Sequence, residues 1–598
     1  MPSPESLLKN TFGYDTFKPL QREVITNVLE RRDTLVIMPT GGGKSLCYQI
    51  PALLFKGLTV VVSPLIALMK DQVEQLRALG VPALFLNSSL SNGEYQENMG
   101  LVSRGFIKLL YVAPETLLTP RLFQLLSTLR LDCLTIDEAH CISEWGHDFR
   151  PEYRHLVEVR RRYPQAVCLA LTATATPRVR QDIKSTLNFA ASNELVAGFN
   201  RENLFIEVIP KHDPAAQTLR FLERFPDQSG IIYCFARKQV DELSAFLAGR
   251  GISARPYHAG LEDKVRRRNQ EAFIRDDTQV IVATIAFGMG INKPNVRFVL
   301  HYDLPKSIEG YYQEIGRAGR DGLPAHCLLL YSFSDVAKLR YFIDQKEARE
   351  QQVAIEHLET LIRFAESDAC RRRPLLTYFG EDYTVENCGA CDNCTAEKKE
   401  PLDITILAQK FLSCVKRTGE RFGTAYVVDV LLGSKNKKVL QNRHDALSTH
   451  GIGKELTREQ WLSISRQLVQ KGFLDQEPAY HTLRITPKGL EVLKTKQNIM
   501  GLFQKAAGTA ASSPKPGEIE YDRALFDILR QKRKELADNA GVPPYVIFSD
   551  RTLVEMAAFI PQDLVSLLKI NGVGQIKAER YGEIFLKILR IYATNRRS

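Results

Sequence analysis

At 598 residues, 44% hydrophobic and 25% charged, the chain is too long for one core and too apolar to be disordered; one domain per ~150 residues gives about four units. Against 69 Asp and Glu stand 80 Lys and Arg, a formal charge of +11 that favours a polyanionic partner, although a solvated basic surface fits the charge equally well. The 11 cysteines, an odd number, argue against a disulfide framework.

The N-terminus, MPSPESLLKNTFGYD, has no basic region followed by an apolar run, so no secretory signal is expected and the protein is placed in the cytoplasm or nucleoid. The longest apolar stretch, residues 58–69, is broken by Ser63 and Pro64 and falls short of the ~20 residues a membrane span requires. From residue 33 onward, short β-branched runs alternate with helical patterns: DTLVIMP, LTVVVSP, KLLYVAPE, CLTIDEAH and AVCLALTAT. Fully apolar strands separated by helices predict a parallel sheet covered on both faces, here a first α/β domain over 1–205. The pattern restarts with SGIIYCFA, QVIVATIAFG, VRFVLHYDLP and HCLLLYS, a second α/β domain over 206–340. Helical, charged sequence and a cysteine cluster fill 341–400, and short helices with one hairpin-like segment, GFLDQEPAYHTLRITPKG, occupy 401–505. Residues 506–518, AAGTAASSPKPGE, have linker composition, and 519–598 read as helical throughout.

Three segments carry chemistry. In MPTGGGKSL, Thr40 leads into Gly41, Gly42 and Gly43, whose N–H groups can turn around a phosphate; Lys44 can reach the β- and γ-phosphates and Ser45 can ligate Mg²⁺. Met38 stands where the strict pattern has a small residue, so this is a variant of the loop. In LTIDEAH, Asp137 suits the metal and Glu138 the attacking water. In YYQEIGRAGRDG, Gln313, Arg317 and Arg320 offer forked donors for charge on a γ-phosphate. Behind the second segment comes SEWGHDFRPEYR, with one of only two tryptophans in the chain; bases can stack on Trp145 or Phe149, and Arg150 can meet phosphate or the ATP site.

Together these residues resemble a superfamily 2 helicase and, more narrowly, the RecQ family of DNA helicases. FGYDTFKPLQREVI resembles the family's motif upstream of the phosphate loop, in which Gln21 would read adenine with Tyr14 and Lys18 nearby. VVSPLIALMKDQ, LTATAT (with Thr172 and Thr174), VATIAFGMGINKPNVR and YYQEIGRAGRDG resemble the later motifs. SEWGHDFRPEYR, with His147 inside it, resembles the aromatic-rich loop that couples DNA binding to hydrolysis. The resemblance implies an α/β fold of two tandem RecA-like domains, followed by a zinc-binding helical domain, a winged helix and an HRDC-like helical domain. It also implies ATP and Mg²⁺ as cofactors and 3′-to-5′ unwinding of duplex or branched DNA in recombination, repair and replication-fork processing. A monomer is expected, with single-strand DNA-binding protein and a topoisomerase as family partners.

Cys388, Cys391 and Cys394 in CGACDNC, with Cys370 18 residues before them, have the spacing of tetrahedral thiolate ligands. Ligand type admits zinc or an iron–sulfur cluster; the spacing and the family resemblance favour zinc. Asp392 and Asn393 are not expected to be ligands, and Arg371, Arg372 and Arg373 offer a surface for DNA. Tyr480 and His481 are placed near the hairpin tip, where an aromatic would wedge the first base pair, and the Gly572-Val573-Gly574 turn offers N–H groups to phosphate. Two other classes fit parts of the chain: an RNA helicase, disfavoured by the cysteine cluster, and an annealing protein with a vestigial motor, disfavoured by the presence of Lys44, Glu138 and Arg320 together.

Overall fold

The computed structural model describes residues 2–595 except 147, 191–192, 286, 288–292, 397–401, 478–481, 496–497 and 502–518. Two compact units result: Met1–Thr395 with Lys515–Ser598, and Ala396–Pro514.

The first sheet contains β1 (Thr34–Ile37), β2 (Leu58–Val62), β3 (Ala83–Leu86), β4 (Leu109–Val112), β5 (Leu131–Ile136), β6 (Val167–Thr172) and β7 (Glu194–Val196), in the order β3-β4-β2-β5-β6-β1-β7. Every pairing is parallel. β1, β2, β4, β5 and β6 are buried along their whole length, as two-sided helix cover requires. Because β5, β6 and β1 are successive neighbours, the loops that follow them meet at one carboxyl edge, where open α/β sheets bind ligands.

The second sheet contains β8 (Leu204–Pro210), β9 (Ser229–Tyr233), β10 (Ala254–Tyr257), β11 (Val280–Ala283), β12 (Val296–His301) and β13 (Ala325–Tyr331), in the order β10-β11-β9-β12-β13-β8, again parallel. The helix Ile308–Ile315 presents the arginine-bearing segment that follows β12. The helix Ala348–Glu366 packs on it through Phe364 against Tyr311, ring centroids 5.0 Å apart.

The C-terminal helices Arg523–Ala540, Asp550–Phe559 and Glu583–Asn595 enclose a core of Leu529, Phe548, Leu553, Phe585 and Leu589. Their domain lies against both sheet domains. Gly572 N–H donates to Gly13 O (3.2 Å), and Lys534 pairs with Asp277 (2.7 Å). Two of the three amides of the Gly572-Val573-Gly574 turn are therefore not open to phosphate: Gly572 N–H is spent on Gly13 and Val573 N–H on Ile570 O (3.1 Å), with Val573 buried.

In the second unit, Thr405–Arg417, Thr424–Leu431, Arg458–Gln470 and Pro487–Lys494 form a helical core around buried Trp461, whose Nε1 donates to Gly453 O (2.7 Å). Leu474–Gln476 and Leu483–Ile485 pair antiparallel as the hairpin. Tyr480 and His481, expected from the sequence near its tip, lie outside the described residues. No helix among the described residues is long and apolar enough to cross a membrane.

Candidate nucleotide site and its coupling loop

The loop after β1 has the backbone its glycines permit. Gly41 (φ +83°) and Gly43 (φ +81°) are left-handed, and a Cβ on Gly42 would sit 2.9 Å from Pro39 O, so all three positions disfavour a side chain. Lys44 Nζ donates to Met38 O (3.0 Å) and Pro39 O (3.4 Å). Burial pushes its pKa down, while Glu138 and Asp137 pull it up. Gln21, buried, donates to Gly43 O (2.9 Å) and accepts from Lys18 N–H (2.8 Å); Lys18 Nζ donates to Gly41 O (2.7 Å). Tyr14, Lys18, Gln21, Thr40 and Ser45 all line one cavity of about 730 Å³ with Lys44, Asp137 and Glu138.

Asp137 is raised well above the usual carboxylate range, first by burial and then by Glu138 beside it. Glu138 is a non-glycine residue in the left-handed region (φ 50°), and its Oε2 is buried without a hydrogen bond, 3.3 Å from His140 Nδ1. Asp137 Oδ1 accepts only the Glu138 N–H (3.0 Å) among the described residues, and two adjacent carboxylates in the cavity that Ser45 also lines are chemistry that fits a divalent cation.

The second domain closes the cavity with Gln313, Arg317 and Arg320. Arg317 is buried, and Arg320 is pushed down from the usual guanidinium range by burial, then by Arg317 and Arg201. Arginines that raise one another's energy in this way form a site for an anion. Arg201 was not singled out in the sequence: it lies in the connector between the sheets, and apart from Asn203 Oδ1 (3.3 Å) its acceptors are far away in the chain. Its guanidinium donates to Thr40 O (2.5 Å), Ala318 O (3.1 Å) and Gly319 O (2.8 Å).

Gln313 reaches across to the first domain: its Nε2 donates to Thr174 Oγ1 (3.1 Å), Thr174 N–H donates to Thr172 Oγ1 (3.2 Å), and Thr172 Oγ1 meets His140 Nδ1 (2.9 Å). Thr172 and Thr174 are buried, which removes them from direct DNA contact and corrects that part of the sequence reading.

In the aromatic loop, Trp145 is half-buried, with the Arg178 guanidinium 3.2 Å from its ring centroid. Phe149 is half-buried near Arg154, and Arg150 pairs with Asp148 (3.2 Å) and donates to Pro64 O (3.4 Å). Tyr153 is fully buried and its hydroxyl donates to Asp137 O (3.1 Å), a direct tie from the loop to the carboxylate pair. His147 lies outside the described residues.

Residues 18–183 match the family profile described as DEAD/DEAH box helicase, 214–322 the helicase conserved C-terminal domain, 333–395 RecQ zinc-binding, 398–509 the RQC domain and 522–589 the HRDC domain. A protein named ATP-dependent DNA helicase RecQ from Haemophilus influenzae is 45% identical over 98% of this chain and 96% of its own length. The chain belongs to the RecQ family. The proteins of that name from Pasteurella multocida and Bacillus subtilis are 46% and 43% identical over 98% of this chain, covering 93% and 98% of their own lengths. The RecQ architecture is thus two RecA-like domains, a zinc-binding domain, an RQC winged helix and an HRDC domain.

The RecQ cysteine cluster is compact, with the sulfurs of Cys370, Cys388, Cys391 and Cys394 all within 4.8 Å of one another. Cys388 Sγ accepts from Ala390 N–H (3.4 Å) and Arg372 Nη1 (3.1 Å), and Cys394 Sγ accepts from Cys388 N–H (3.4 Å), donors that stabilise thiolates. Four such sulfurs fit tetrahedral Zn²⁺. Asp392 is occupied by Arg371 (2.9 Å) and Val208 N–H (3.0 Å), and Asn393 Nδ2 by Ser367 O and Ala369 O (both 2.7 Å), so neither is turned to a metal. Arg371 and Arg372 are themselves buried, their guanidinium groups taken up by Asp392, Cys388 and main-chain carbonyls. The expectation that they face DNA is corrected; of the three arginines, only Arg373 is exposed.

Proposed function

We infer that this RecQ chain is an ATP-dependent DNA helicase that translocates 3′ to 5′ on single-stranded DNA and unwinds duplex or branched DNA. Recombination, repair and fork processing are its expected settings. The observation that carries the reading is one cavity lined by a phosphate loop, a carboxylate pair and the arginines of a second domain. A γ-phosphate there would meet Lys44 from one side and Arg317 and Arg320 from the other, so its presence favours closure and its loss favours opening. Gly41, Gly42 and Gly43 would cradle the phosphates, Gln21 with Tyr14 and Lys18 would hold the base, and Glu138 would orient the attacking water. Bound Mg²⁺, held by Ser45 and Asp137, supplies neutralisation of phosphate charge.

DNA would bear on Trp145, Phe149 and Arg150. The loop reaches the carboxylate pair through Tyr153, and His140, Thr172, Thr174 and Gln313 carry the contact into the second domain. Residues 1–205 and 206–340 act as the two motor domains, 341–400 as the zinc domain, 401–505 as the winged helix and 519–598 as the HRDC domain, with 506–518 as a linker. We place the protein at the nucleoid as a monomer, with single-strand DNA-binding protein and a topoisomerase as partners.

The test is ATP hydrolysis and strand separation on one 3′-tailed duplex by the parent, Lys44→Ala and Glu138→Gln, with single-stranded RNA as a comparison activator. Each variant should lose hydrolysis by roughly 10²-fold or more, and unwinding with it. Strand release by all three without ATP would make the chain an annealing protein instead.

A further inference from the structure

The two motor domains are joined by the connector between β7 and β8, and Arg201 projects from it into the seam between them. Its three long-range acceptors are the carbonyl of Thr40, on the phosphate loop, and those of Ala318 and Gly319, between Arg317 and Arg320. No carboxylate is among these acceptors, so the side chain does not serve as an ordinary ion pair. A planar fork that satisfies carbonyls on two bodies fixes their separation, which a lysine's single point of charge does not. The seam is tight: a Cβ on Gly41 would lie 3.4 Å from Arg201 Nη1 and 3.5 Å from Arg320 Cα.

Arg201 is held in its turn. Arg372, 3% exposed, donates from Nε to Asn200 Oδ1 (2.9 Å) and from Nη2 to Arg201 O (3.1 Å) and Leu204 O (2.7 Å), gripping the connector on both sides of the Arg201 side chain. Its remaining nitrogen, Nη1, donates to Cys388 Sγ (3.1 Å) and Ala390 O (2.8 Å) in the cysteine knuckle. An unbroken chain of direct hydrogen bonds thus leads from a zinc-ligand sulfur to the phosphate loop and the arginine turn.

We propose that Arg201 is a positioning residue for ATP hydrolysis, setting the spacing of the phosphate loop and the arginine turn, and that Arg372 is the strut through which the zinc domain holds it. This rests on the roles given above to Arg317 and Arg320. Spatial continuity alone does not establish coupling; a double-mutant cycle does.

The full-length protein is compared with Arg201→Lys, Arg372→Lys, the double variant and Arg320→Ala. The measurements are DNA-saturated kcat and KM, affinity for a fluorescent ADP, and zinc per chain. Arg201→Lys should lower kcat by about tenfold while ADP affinity stays within about threefold and zinc stays at about one per chain. Arg372→Lys should lower kcat less, and the double variant should be no worse than Arg201→Lys, because both act on one contact. A kcat for Arg201→Lys within about twofold of the parent, losses that multiply in the double variant, or ADP affinity that falls as far as kcat would each overturn the proposal. Arg320→Ala separates the two readings: if it too retains hydrolysis, the assignment of the arginine turn has failed, and if it alone abolishes hydrolysis, only the Arg201 inference has.

Discussion

Trp145 is a residue whose setting defines what it can do. A core tryptophan is sealed on both faces, as Trp461 is; Trp145 is half-buried, with one guanidinium, Arg178, against its ring. A base stacking there competes with or extends that cation–π pair, and such stacking is worth about 1–3 kcal/mol per base. Because the same loop reaches Asp137 through Tyr153, that energy would be delivered within one short segment of the carboxylates. Trp145→Ala should therefore bind ADP like the parent and keep its DNA-free hydrolysis, yet lose most of the stimulation by single-stranded DNA. Steady-state ATPase with and without DNA decides it, and equal stimulation in variant and parent would remove the ring from the coupling path.

At the scale of elements, legibility followed how local the determinants are. The buried central strands announce themselves as apolar runs, and the phosphate loop and the carboxylate pair carry their chemistry within a few consecutive residues. The edge strand β10 does not: it is Ala-Arg-Pro-Tyr, half-buried throughout, and its proline is tolerated because it lies at an edge. Arg371 and Arg372 read as a basic surface because the groups that bury them come from distant segments. The same holds for the Gly572-Val573-Gly574 turn, legible as a turn but not as the partner of Gly13. That contact is testable at Gly574, whose φ of −89° suits any residue, so alanine brings no backbone strain of its own. Its new Cβ would lie 3.0 Å from Gly13 Cα and 3.2 Å from Gly13 N, with backbone on both sides and no flexible side chain to give way. Gly574→Ala should loosen the HRDC domain from the N-terminal segment while leaving its own core folded. In hydrogen exchange the Gly572 amide, which donates to Gly13 O, should lose protection while the amides of Arg523–Ala540 keep theirs. Unchanged protection at Gly572 would show that the turn yields without undocking.

Across the whole molecule, the HRDC domain touches the first motor domain at Gly13 and the second through a buried charge cluster, and its Tyr545, Arg551 and Lys577 line the nucleotide cavity. In the cluster, Asp276 of the second domain pairs with Lys293 and lies 3.7 Å from Arg533, which in turn pairs with Asp550 (2.7 Å). Burial alone would raise the Asp276 carboxyl; Lys293 and Arg533 outweigh it and hold it at about 2. A carboxyl depressed in the folded state stabilises fully above its ordinary value of 3.8 and loses that contribution as pH falls towards about 2. Asp276 also sits in the left-handed region (φ 63°), which asparagine tolerates, so Asp276→Asn removes the charge and spares the turn. The variant leaves Lys293 and Arg533 buried without their shared carboxylate, a change that typically costs about 3–5 kcal/mol. Thermal unfolding should therefore separate parent and variant widely at neutral pH, with the gap narrowing as pH falls through the acid range. A gap that stays constant with pH would mean that Asp276 acts through its hydrogen bonds rather than its charge, and that the HRDC domain is held to the motor chiefly by its other contacts.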